Sequence, residues 1–121
     1  MLRGFVERRL EREGENAYAA IFDPALADYE SALAWFKRRM RRSIAVAGLA
    51  YSDARSSGSL EEDRRALDKY LATIAFEDEM FARAERRLGH NLEKARKGAE
   101  EARQKIFDSP RNRILARVFI R

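Results

Sequence analysis

From Asp23 to Phe107 the apolar residues recur at helical spacing, with interruptions almost only at Arg55–Ser59 and Leu88–Asn91. A pattern sustained over that length admits few folds. It predicts an all-α protein built on an elongated helical hairpin, two long antiparallel helices joined by a short turn and flanked by short N- and C-terminal helices. In the first long helix Leu26, Tyr29, Leu33, Phe36, Met40, Ile44, Ala47 and Tyr51 follow at spacings of three and four, the signature of one buried seam. Asp23-Pro24 is read as its start, an N-cap followed by proline at the first helical position.

Ser56-Ser57-Gly58 supplies the turn. Ser59 and Glu62 then form a capping box, in which hydroxyl and carboxylate each satisfy a free backbone amide. The second helix is predicted to bury Leu67, Tyr70, Leu71, Ile74, Phe81 and Leu88 and to break at Gly89-His90-Asn91. Before the hairpin, Leu2, Phe5, Val6 and Leu10 predict a short helix ending at Gly14, with a brief turn carrying Tyr18, Ile21 and Phe22. After it, a thin seam of Leu92, Ala95, Ala99, Ala102 and Ile106 leads to Ser109-Pro110. These two open a last segment in which Ile114, Leu115, Val118 and Phe119 oppose Arg113, Arg117 and Arg121. The β-branched content of that segment also permits a strand added to a partner's sheet. The chain of 121 residues thus reads as one domain in three parts, 1–22, 23–88 and 89–121.

Composition narrows the chemistry. With no cysteine and one histidine, thiolate metal sites, disulfides and cysteine nucleophiles drop out. A di-iron bundle needs Glu-x-x-His pairs, whereas Arg87 stands three residues before His90. No phosphate-binding glycine loop and no Ser/His/Asp set can be assembled. The acids Glu77, Asp78, Glu79 and Glu85 read as solvated or paired rather than catalytic. The expectation is a non-enzymatic protein without metal or cofactor. No apolar stretch is long enough to span a bilayer, and the acids Glu7, Glu11, Glu13 and Glu15 are unlike a transit peptide. A cytoplasmic or virion-associated protein, not secreted through a signal peptide, is expected.

The faces of the long helices suggest a partner. Trp35, Val46 and Leu49 fall opposite the seam of the first helix, and Phe76 and Met80 project away from that of the second. One neighbouring helix cannot cover both sides, so these five residues are the candidate protein interface, centred on Trp35. The alternative is that the terminal segments fold back over them. Asp78 falls on the second seam. A turn centred on Ser57-Gly58 would bring it level with Lys37 or Arg41, predicting an ion pair that fixes helix register.

Charge gives a second function class. The net charge of +5 is concentrated at the C-terminal end, where residues 91–121 carry nine basic and four acidic groups. Arg38, Arg42, Lys94, Lys97, Arg103, Arg113 and Arg117 are the candidates for contacts to phosphate or to an acidic partner. A structural or adaptor subunit of a larger oligomeric assembly, such as a virion or secretion-type particle, is the first reading. Nucleic-acid binding through the backbone phosphates is the alternative, and a small helical inhibitor or regulator of a protein target is the third.

Overall fold

The computed structural model describes residues 2–119, with the side chains of 56, 57 and 119 excepted. Three helices account for nearly all of it: α1 (Leu2–Ser57), α2 (Leu60–Asp108) and α3 (Pro110–Phe119). There is no strand among the described residues, so the last segment takes the helical alternative. The long antiparallel hairpin and the short C-terminal helix are as the periodicity predicts. The local stops are not. Gly14, Asp23-Pro24 and Gly89-His90-Asn91 all lie inside continuous helices.

Proline inside a helix removes one backbone hydrogen bond and costs about 3 kcal/mol, so Pro24 is tolerated only because the rest of α1 holds it. Gly14 has a different reason. A Cβ there would stand 3.1 Å from Arg103 Cγ and 3.3 Å from the Phe107 ring, so its bareness lets α2 approach. Gly89 and Gly98 have nothing within 4 Å of where a Cβ would be, and neither has a positive φ. Gly98→Ala is therefore expected to raise the unfolding free energy by about 1 kcal/mol, read as a shift in denaturant midpoint.

The hairpin turn follows its capping signal. Ser59 Oγ accepts the Glu62 amide at 3.3 Å, and Glu61, Glu62 and Asp63 place negative charge in the first turn of α2. At the other end of α2, Ser109 caps α3 by accepting the Asn112 amide at 3.3 Å. The Ile106 carbonyl receives both the Ser109 hydroxyl and the Asn112 side-chain amide. Asn112 is buried, and its bond ties α3 back to the last turn of α2.

The chain divides into two compact units, Met1–Tyr29 with Gly89–Arg121, and Glu30–Leu88. The first contains parts of all three helices, and in it lie all the buried residues among those described: Val6, Leu10, Gly14, Ala99 and Asn112. Leu10 is only 2% exposed. Tyr18 stacks near Phe22 with ring centroids 5.4 Å apart, and the Arg103 guanidinium lies 5.0 Å from the Tyr18 ring centre.

The second unit is a bare pair of helices, and it has no buried residue among those described. Tyr51 meets Tyr70 with ring centroids 5.6 Å apart. Gly48 lets the Tyr70 ring come close, since a Cβ there would stand 3.2 Å from it. Ser43 Oγ donates to Glu77 Oε1 at 2.8 Å across the pair. All eight residues of the expected α1 seam are half-buried here or, for Leu26 and Tyr29, in the first unit. Of the expected α2 seam, Tyr70, Ile74, Phe81 and Leu88 are half-buried, whereas Leu67 and Leu71 are exposed; Ala66, Thr73 and Glu77 are half-buried in addition.

Candidate interaction surface

The expected register pair does not form. Glu77, not Asp78, turns toward α1, and it meets Ser43 rather than a cation. Asp78 is exposed and pairs with neither Lys37 nor Arg41, both of which are also exposed. The physical cause is the turn: α1 runs on to Ser57 and α2 begins at Leu60. The centre of the hairpin therefore lies further along the chain than Ser57-Gly58, and the level opposite Glu77 is Ser43.

The five candidate interface residues all belong to the unit Glu30–Leu88, and all are exposed: Trp35 52%, Val46 60%, Leu49 68%, Phe76 59% and Met80 38%. No described segment of the chain covers them. Trp35 packs edge-on against Phe36 with centroids 5.0 Å apart, so half of its indole is already held while the other half faces out.

These residues do not share one face. Arg39, Met80 and Glu77 line a small cavity of about 20 Å³ with Phe36, Met40 and Phe81. Nearer the turn, Ala47, Ala50, Tyr51, Ala54, Ala66, Lys69, Tyr70 and Thr73 line one of about 170 Å³. Val46 stands three residues from Ser43, four from Ala50 and seven from Arg39, so it shares their side of α1. Phe76 stands in the same relation to Thr73, Met80 and Lys69. Trp35 and Leu49 sit further round the outer side of α1. The grouping of Val46, Phe76 and Met80 with two hollows between large and small side chains was not visible in spacing alone, because it depends on which small residues the partner helix leaves uncovered.

The cationic candidates are dispersed. Arg38 and Arg42 are exposed on α1 in the second unit, while Lys94, Lys97, Arg103, Arg113 and Arg117 belong to the first. Arg103 is engaged by Tyr18 and Gly14, and Arg113 lies 4.0 Å from Asp108. Arg96, another base of the C-terminal segment, binds Glu93 and Glu100 together. Its guanidinium holds the Glu93 carboxyl below the usual carboxylate range, and the two acids raise the arginine in turn. A further cationic group, Arg8, Arg9 and Arg12, lines an open depression on α1 with Phe5, Glu13 and Asn16, though Arg9 is paired with Glu13 at 3.2 Å. Several exposed charges are thus engaged in pairs along single helices, each worth a few tenths of a kcal/mol.

Among the described residues no three His, Cys, Asp or Glu side chains gather as a metal ion would require. No described helix is long and apolar enough to cross a membrane. Comparison of the chain with protein-family models, with curated proteins and with solved structures finds no significant match.

Proposed function

We propose that this protein is a non-enzymatic structural subunit that works by helix packing in an oligomeric assembly. The observation that carries the reading is the unit Glu30–Leu88, which exposes Trp35, Val46, Leu49, Phe76 and Met80 and buries no described residue of its own. Two amphipathic helices can cover each other on one side only. Helices apolar on more than one side are stable when further helices cover the remainder.

Surface area supports the same reading. The chain exposes 9427 Å². A folded monomer of 14.0 kDa exposes about 6,700 Å², and two separate globules of half that mass about 8,100 Å² together. The excess over either figure is larger than the roughly 800 Å² per partner that a stable interface removes. The test is light scattering on the untagged protein. A multiple of 14.0 kDa is expected, falling in the double variant Trp35→Ala/Phe76→Ala with helicity retained. A wild-type mass of one chain at all concentrations would refute the assembly reading.

A further inference from the structure

α3 presents to solvent a face that its own packing leaves free. Asn112 is buried and Leu115 and Ala116 are half-buried, whereas Arg111, Arg113, Ile114, Arg117 and Val118 are exposed. Ile114 and Val118 are each 64% exposed. At about 100° per residue, Val118 lies about 40° from Ile114 with Arg111 about 20° beyond it, while Arg117 and Arg113 stand about 60° and about 100° to the other side. Two aliphatic side chains thus form the centre of the outward face, and arginines flank them on both sides. No acid occurs in α3. Arg113 reaches Asp108 only at 4.0 Å, and among the described residues none pairs with Arg111 or Arg117.

We propose that this face lies on an anionic phospholipid surface, with α3 parallel to the membrane plane, Ile114 and Val118 at the acyl boundary and Arg111, Arg113 and Arg117 among the phosphates. The proposal is independent of the assembly reading. An apolar row between cationic rows suits that boundary, because hydrocarbon and phosphate lie there at nearly the same depth and a long arginine stem spans the difference. The phosphates of a nucleic acid would take up the same arginines but leave Ile114 and Val118 in water. An apolar groove on a protein would take the aliphatic pair but strip water from the arginines beside it. Ser109 and Asn112 fix α3 to the last turn of α2, so the face is formed before it meets a surface. Each arginine near an anionic surface adds about fivefold. Two aliphatic side chains bury little, so binding is reversible, about 10⁴ M⁻¹ as for a single acyl chain.

Vesicles of equal parts phosphatidylserine and phosphatidylcholine, at millimolar lipid, should co-sediment the full chain, and vesicles of phosphatidylcholine alone should not. Arg113→Gln/Arg117→Gln should lower the partition constant about thirtyfold. Ile114→Ser/Val118→Ser leaves the charge unchanged and should lower it by about tenfold or more. Lys94→Gln/Lys97→Gln removes the same charge from exposed positions in the same unit. Those lysines lie more than about 15 Å along α2 from its end, beyond the screening length of about 8 Å at physiological salt, so the loss should stay under about threefold. Helix content by circular dichroism should be unchanged in all three variants, since every substituted side chain is exposed. A wild type that stays in the supernatant with the anionic vesicles overturns the proposal. So does a lysine variant that loses as much as the arginine variant, which would mean that net charge alone attracts the chain. Binding that survives Ile114→Ser/Val118→Ser overturns it too, because any polyanion, nucleic acid included, would then serve equally.

Discussion

Leu10→Ala is expected to lower the unfolding free energy by about 2–5 kcal/mol, the usual loss for a buried leucine whose cavity cannot collapse. Among the described residues Leu10 is the one large side chain that is fully buried, at 2% exposure. It lies in the unit Met1–Tyr29 with Gly89–Arg121, where three helical segments meet. A domain of this size has about 5–15 kcal/mol in total, so the variant should lose a substantial share of it. Leu49→Ala makes the contrast, since Leu49 is 68% exposed and should cost under about 0.5 kcal/mol in the unassociated chain. Denaturant midpoints of the two variants at low protein concentration check the pair. Equal losses would mean that the core does not lie where its burial places it.

Gly14→Leu should be the second large effect, a loss of about 1–3 kcal/mol or more from overpacking. The first carbon added already meets Arg103 Cγ at 3.1 Å and the Phe107 ring at 3.3 Å. The remainder of a leucine has to displace the Phe107 ring and the arginine stem that carries its guanidinium over Tyr18. Gly14→Ala should be close to neutral, because the gain in helix propensity, about 1 kcal/mol, opposes the small shift that the Arg103 stem and the Phe107 ring must make. Circular dichroism during denaturation reads both. A Gly14→Leu protein as stable as Gly98→Ala would show that the close approach of α1 and α2 is not required.

The contrast between these glycines explains what was legible in the sequence. The seam of α1 was, because large apolar residues at spacings of three and four have only one helical face to occupy. The helix stops were not. Glycine after an amphipathic stripe reads as a cap, yet Gly14 is buried where two helices press together and Gly89 is simply carried by the helix around it. Asp23-Pro24 reads as a helix start, but one lost hydrogen bond is small beside the packing of a 56-residue helix. On α2 two of the large residues misled. Leu67 and Leu71 are bulky enough to read as core, while the positions against α1 go to Ala66 and Thr73, small enough to accommodate the tyrosine pair.

The candidate surface was legible in part for the same reason. Opposition to the α1 seam identifies Trp35, Val46 and Leu49 as outward, and they are exposed. The division of that set between the grooved face and the outer side of α1 depends on hairpin register, which the turn sets and periodicity does not. Asn112 left no signal at all. Its role arises from the Ile106 carbonyl that becomes free where α2 ends.

On the proposed function, the unit Glu30–Leu88, with no buried residue among those described, completes its folding by association. The most direct test is the thermal midpoint of the untagged protein followed over a hundredfold range of concentration. If folded chains are held by one another, mass action adds about 2.7 kcal/mol per mole of dimer across that range, and the midpoint rises steadily with concentration. A midpoint that stays constant, in a protein whose mass remains 14.0 kDa throughout, would contradict the account, because Glu30–Leu88 would then be stable with its apolar faces in water.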